Sequence, residues 1–267
     1  MIIPVYHIDA FADKEFQGNP AAVCILQSWL PDRVMQLIAQ EHNLAETAFC
    51  VPNGRIWQLR WFTPEQEIDL CGHATLATAY VLFEQYGISG NAITFHTQSG
   101  ELVVLRQGKF YSMSLPVRRG MSCEIPKDMA DALGMQPVQA LRARDLVLVF
   151  QTQREIEQMV PDFSRLAQSE EFGIVVTAPG TETDFVSRYF APGCSLPEDP
   201  VTGSAHCTLV PYWAQRLGKT KLTARQLSKR GGSLWCRLEQ ESVFVSGKAI
   251  LFSRGDIHLH KEEFSSV

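Results

Sequence analysis

The chain nearly repeats itself, and this limits its possible folds more than any other feature. "RWFTP" (Arg60 to Pro64) returns as "RYFAP" (Arg188 to Pro192), 128 positions on. "LIAQE" (Leu37 to Glu41) and "RLAQS" (Arg165 to Ser169) keep that offset. A three-residue insertion then moves it to 131, where "GHATLATAYVLFEQYG" (Gly72 to Gly87) lies over "GSAHCTLVPYWAQRLG" (Gly203 to Gly218). At 132, "SGELVVLRQGKFYSMS" (Ser99 to Ser114) lies over "GGSLWCRLEQESVFVS" (Gly231 to Ser246). Four matches in one order, with so little drift, indicate two homologous halves. The Pro, Gly and charge of "LPVRRGMSCEIP" (Leu115 to Pro126) mark the connection. The expected domains are 1–117, joined by the C-terminal tail 255–267, and 118–254.

Each half follows one coarse plan. Strand-like alternation opens it ("PVYHIDAF"), and a helix follows ("DRVMQLIAQEHN") with Val34, Leu37 and Ile38 at helical spacing. Strands come next ("TAFCV", "WQLRWF"), then an apolar helix from Gly72 or Gly203, then more strands ("AITFHT", "ELVVL", "FYSMSL"). The apolar helices carry one charge each, Glu84 and Arg216, both near the C-terminal end. They are expected to be buried along most of their length, with Pro211 kinking the second or shifting its register. The fold class that follows is α+β: two pseudo-symmetric halves, each a curled, mostly antiparallel or mixed sheet wrapped around a central apolar helix. "QGNPAAV" (Gln17 to Val23) and "KRGGS" (Lys229 to Ser233) read as turns on local grounds.

A helix leaves its first four amides without internal partners. In a sheathed helix, water reaches them poorly, so a side chain or an anion must satisfy them. Both apolar helices begin with Gly, which lets a ligand approach the backbone closely. Two such starts converging on one cleft would suit a small carboxylate and would stabilise charge developing on an enolate. The plainer alternative is that Asp199, Thr202 and Ser204 cap their helix.

Glu46 lies in "LAETAFC", an otherwise apolar segment. Desolvation favours the neutral acid, which suits a group that exchanges protons. At offset 128 its counterpart is Ile174, so the shared scaffold does not require the carboxylate. Asp199 precedes a helix start and could be a base, a cap or an orienter. His73 is the second residue of its helix, and the dipole there is expected to keep it neutral. Cys71 and Cys207 raise a two-thiol racemase, but they are not equivalent positions, and buried structural thiols fit better. Cys71-x-His73 and His206-Cys207 are too close-set to read as metal ligands. Neither GxGxxG after a strand nor GxxxxGK[ST] occurs, so there is no sign of a nucleotide fold.

The net charge of -5 and the lack of a basic block argue against nucleic acid or an anionic membrane as partner. The N-terminus lacks a signal-peptide pattern, no apolar run reaches spanning length, and seven scattered cysteines form no CxxC pair. A cytoplasmic protein with reduced thiols is expected.

"YHIDAFADKEFQGNPAAV", "LAETAF", "RWFTPEQEIDLCGHATLATAYVL" and "RYFAPGCSLPEDPVTGSAH" together resemble the PhzF-like phenazine-biosynthesis isomerase family, of the diaminopimelate-epimerase-like fold group. The resemblance runs nearly the whole chain. It implies an active site between the two halves, no cofactor or metal, and often a homodimer. It implies Glu46 as the central acid/base, with His73 and Asp199 beside it. The candidate substrate-binding residues are Asn19, Gly72, Thr202, Gly203 and Ser204. Ala74 stands where a proline is common in the family, a change that should not affect the chemistry. The final strand is expected to cross back to the first half, which fits the unrepeated tail after about Leu251. The function expected is a cofactor-independent isomerase moving a proton between carbons of a small carboxylic acid. The alternatives are a two-thiol amino-acid racemase or epimerase, and a non-catalytic carboxylate-binding protein on the same fold.

Overall fold

A computed structural model describes residues 1–192 and 197–260. Cys194 and the end of the tail therefore lie outside the described residues. The chain divides into two compact units, one of Met1–Ser114 with the chain from Gly247 onward, the other of Leu115–Ser246.

In the first unit the strands run, edge to edge, Ala249–His258, Ile2–Ala10, Asn19–Ile25, Glu46–Asn53, Ile56–Phe62, Ala92–Thr97, Gly100–Gln107 and Phe110–Pro116. Two neighbouring pairs are parallel: Asn19–Ile25 with Glu46–Asn53, and Ile56–Phe62 with Ala92–Thr97. The helix Gly72–Glu84 packs against the first three strands of the chain, Gly100–Gln107 and the final strand. Ten of its thirteen residues are buried, so it has no polar face to give to water. On the other side of the sheet, the helix Asp32–His42 buries Val34, Met35, Ile38 and Ala39 over Ala22, Cys24, Phe49 and Val51. Leu37, expected on the apolar stripe, is half exposed.

The second unit has the same order: Met121–Cys123, Gln139–Arg142, Leu146–Val149, Ile174–Pro179, Phe185–Phe190, Lys221–Gln226, Gly232–Glu239 and Ser242–Gly247. Its parallel pairs fall at the same two places. The helix His206–Leu217 packs on Lys221–Gln226 and Gly232–Glu239. Three short helices, Met129–Leu133, Gln153–Gln158 and Phe163–Leu166, cover a separate core that includes Leu146, Leu148, Ile174 and Val176.

One ion pair recurs with the repeat. Arg60 grips Glu67 through Nε and Nη2, both at 2.6 Å, and Arg188 grips Glu198 the same way at 2.7 and 3.0 Å. Each guanidinium also lies over a phenylalanine two residues on, Phe62 or Phe190. Such bidentate pairs fix geometry as well as energy. Here they tie the short strands Glu67–Ile68 and Glu198–Asp199, which lead to the central helices, onto their sheets.

Three sequence expectations need correction. "QGNPAAV" is a turn only at Gln17-Gly18; Asn19–Ile25 is an interior strand. Pro20, which has no N–H to give, is tolerated because it stands at the strand's beginning. The second central helix is not continuous from Gly203: Gly203–Ala205 is a tight 3₁₀ turn, and the α-helix begins at His206. Pro211 leaves the carbonyl of Cys207 without its usual helical donor. The backbone N–H of Arg118 donates to that carbonyl instead, at 2.9 Å.

The third correction concerns register. Thr47 pairs with Phe62, whereas Ile174 pairs with Phe190. With Phe62 and Phe190 equivalent, the counterpart of Thr47 is Ile174, and that of Glu46 is Gly173. A slip of one residue moves a strand's side chains to the other face. Ile174 faces the outer core with Val176, so it is not the residue that replaces Glu46. Among the described residues, no helix is long and apolar enough to cross a membrane.

Candidate active site

Four side chains of the first unit meet at the start of the helix Gly72–Glu84. Glu46 begins its strand, Asn19 begins the parallel neighbour, and Cys71 and His73 flank the first helical residue. Asn19 is wholly buried, and its amide nitrogen lies 3.1 Å from Nδ1 of His73. The sulfur of Cys71 approaches the same ring nitrogen at 3.6 Å. On the far side of the ring, Nε2 lies 3.1 Å from Oε2 of Glu46. The spacing is that of an ion pair, but the ring N–H does not aim along it. Both atoms are buried and neither makes a hydrogen bond. Such a group is costly to bury.

Burial pushes His73 down, while Cys71 and Glu46 pull it up, and the balance lies well above an ordinary histidine. Of the two pulls, that of Glu46 operates at neutral pH. Burial and Glu46 together hold the Cys71 thiol above its usual range, so it is uncharged. The helix dipole, expected to keep His73 neutral, is thus opposed by the neighbouring Glu46 carboxylate.

Neither N-cap residue, Cys71 or Thr202, makes a side-chain cap hydrogen bond. A Cβ added to Gly72 would meet nothing nearer than Met113 Cε at 3.6 Å, so packing does not demand glycine there.

In the second unit, Asp199, Thr202, Gly203 and Ser204 lie at the equivalent start, and Asp199 and Thr202 are linked to each other. The Thr202 hydroxyl donates to the Asp199 carboxylate in a short contact. Gln226 accepts from the Thr202 N–H at 2.8 Å and donates to the Asp199 carbonyl at 2.8 Å. Ser204 accepts from Arg144 Nη2 at 3.0 Å. Arg144 also pairs with Asp145, whose carboxylate accepts from the Tyr189 hydroxyl at 3.1 Å. Asp145 stands where the register places the counterpart of Ala21, beside Gly173. A Cβ on Gly173 would fall 2.1 Å from the Tyr189 hydroxyl and 2.8 Å from Asp145. The place that Glu46 takes from one strand is filled in this unit by an acid from the neighbouring strand.

Arg144, Asp145, Tyr189 and Gln226 were not singled out in the sequence. The available signal was Arg144-Asp145 directly before the apolar run Leu146–Val149, a charged pair at the mouth of a buried strand.

Cys207 lies inside its helix, and burial pushes its thiol up to about 11. Together with the raised Cys71 thiol, this opposes the ready thiolates that a two-thiol racemase needs. Six cysteines, among them Cys71 and Cys207, are free thiols.

A family model described as phenazine biosynthesis-like protein, PhzC-PhzF, matches residues 8–255. The chain belongs to this family. An uncharacterized isomerase of Pseudomonas aeruginosa is 48% identical over 260 residues, covering 97% of this chain and all of that one. A crystal structure of a PhzF-family phenazine biosynthesis protein from Enterococcus faecalis superposes with a TM-score of 0.95 at 46% identity, over 97% of this chain and all of the other. A hydroxyproline epimerase from Agrobacterium vitis has a TM-score of 0.65 at 8% identity, over 98% and 94% of the two chains, a likeness of fold alone. These comparisons place the chain in the α+β, epimerase-like fold, the two-halved architecture expected from its repeat and the fold group implied by the family resemblance. Isomerase is the activity in the names of several curated relatives, among them the Pseudomonas aeruginosa protein.

Proposed function

We propose that the chain is an isomerase that moves a proton between carbons of a small carboxylic acid with its own acid/base side chains. One observation carries the reading. Within the first unit, Glu46 and His73 face each other at 3.1 Å with two buried, unbonded polar atoms. An acid beside a histidine, left out of the surrounding hydrogen bonds, is poised to exchange a proton. Glu46 takes a proton from a substrate carbon and returns it to another. His73, held toward its protonated form, stabilises the ionised glutamate before the first transfer and after the second. Asn19 orients the imidazole through Nδ1. In the same proposal the amides at the two helix starts, near Gly72 in one unit and near Gly203 with Ser204 and Thr202 in the other, are groups suited to holding a carboxylate and stabilising developing negative charge. Asp199 orients the substrate.

The test is incubation in heavy water with a panel of cyclic and amino carboxylic acids, followed by mass spectrometry. At least one acid should gain deuterium, and Glu46→Gln should lower the uptake by at least about 10²-fold, the scale of general acid–base catalysis. Ligand binding without uptake would favour a non-catalytic binding protein. Uptake at the wild-type rate in Glu46→Gln would remove this residue from the mechanism.

A further inference from the structure

We infer that Glu46, Cys71 and His73 form a binding site for a thiophilic divalent ion such as Zn²⁺. Among the described residues, these three are the group of His, Cys, Asp and Glu side chains whose donor atoms all lie within 4.8 Å of one another. The sequence spacing concealed this, because Cys71-x-His73 lacks a third ligand until the strand from Glu46 is brought beside it. A tetrahedral zinc ion with Zn–S of about 2.3 Å and Zn–N or Zn–O of about 2.0 Å separates its donors by roughly 3.3–3.8 Å. Glu46 Oε2 lies 3.1 Å from Nε2 of His73 and Cys71 Sγ lies 3.6 Å from Nδ1, and with one donor atom from each residue all three fall within 4.8 Å. One imidazole nitrogen would bind the ion, and the ring must turn and the donors draw together to bring it between the carboxylate and the sulfur.

Two further observations point to a ligand. His73 is 5% exposed, and its Nε2 has no hydrogen bond. The facing Glu46 oxygen has none either. The side chain of Glu46 is 17% exposed, more open than that of His73, which gives the ion an approach. Thiolate, imidazole and carboxylate together are a zinc or cobalt donor set, and three protein ligands leave a fourth position for water. On binding, the Cys71 thiol proton passes to solvent, the imidazolium gives up its proton, and a metal–sulfur bond forms. No change of oxidation state is involved. An ion held there would occupy both members of the proposed acid/base pair, so the same cluster would bind metal or transfer protons, not both. That consequence rests on the function proposed above, whereas the binding does not.

The experiment is titration of the reduced full chain with Co²⁺ and Zn²⁺ under anaerobic conditions. Co²⁺ should give a sulfur-to-cobalt charge-transfer band at one equivalent, displaced by Zn²⁺. Cys71→Ser should lose the band, and His73→Asn should weaken binding by more than about tenfold. His42→Gln should retain it, although His7 and His42 also approach each other, at 3.3 Å. Zn²⁺ should raise the melting temperature of the wild type and not of Cys71→Ser, provided both are folded by circular dichroism. Absence of the band in the wild type, or its survival in Cys71→Ser, overturns the site. Binding is read without turnover, so this test and the deuterium test can fail independently.

Discussion

The two central helices begin in opposite ways. At the first, a Glu46 carboxylate oxygen and His73 Nε2 sit close and neither atom makes a hydrogen bond, while the other ring nitrogen faces Asn19 and Cys71. At the second, Asp145 is held by Arg144 and Tyr189, Arg144 reaches Ser204, and Gln226 joins Thr202 to Asp199. The same strand order underlies both. One duplicated scaffold thus carries a start whose acid is spent on structure and a start whose acid is left available. The contrast turns on which strand supplies the carboxylate. Where Glu46 projects in the first unit, the second has Gly173 and fills the space with Asp145 and the Tyr189 hydroxyl.

The largest expected effects come from removing each acid in turn. Glu46→Gln should abolish most turnover while costing less stability than loss of the second unit's acid. Asp145→Asn should cost roughly 2–4 kcal/mol, because it strips the charge from a buried partner of Arg144. Denaturant melts of both variants check the difference. Equal losses of stability would mean that the two acids play one structural role.

A difference of nearly that size should appear in pH dependence. Burial drives His206 down to about 4, and its ring packs beside Phe185. A histidine kept neutral in the folded state stabilises it above the unfolded value of 6.5. That contribution is lost as pH falls toward about 4, and is worth roughly 3 kcal/mol. His73 has the opposite sign. Its folded value is raised, so its contribution is present below 6.5 and lost as pH rises through that raised value. Denaturation across about pH 4–9 should find the acid limb flattened by His206→Gln and the alkaline limb flattened by His73→Asn. The reverse assignment would break the comparison.

Smaller effects sharpen it. Gly173→Ala should cost roughly 1–3 kcal/mol, because the new methyl must displace Tyr189 or Asp145. The smallest belongs to Pro211→Ala. Proline in a helix interior ordinarily costs about 3 kcal/mol. The Cys207 carbonyl already has the Arg118 donor, so alanine should change stability by less than about 1 kcal/mol in thermal melts.

Much of the scaffold was readable in the sequence, because duplication leaves the same local patterns twice. The apolar helices, the strand runs and the Arg-Phe motif of each half all rest on residues close together in the chain. The candidate site was readable only in part. Glu46 stood out as an acid in an apolar segment, and His73 by its place at a helix start. The link from Asn19 to His73 spans 54 positions, and local turn chemistry at Gln17-Gly18 hid the strand behind it. Arg144 reaches Ser204 across 60 positions, which no local pattern reports. The slip that exchanged Gly173 for Ile174 arose because a sequence offset does not record which face a strand residue occupies.

The most direct test is an NMR titration of imidazole-¹⁵N-labelled protein, following His73 and His206 together in the wild type and in Glu46→Gln. The account predicts that His73 titrates well above 6.5 in the wild type and falls markedly in Glu46→Gln, while His206 stays near 4 in both. A wild-type His73 that titrates at or below 6.5, or one indifferent to the loss of Glu46, would contradict it.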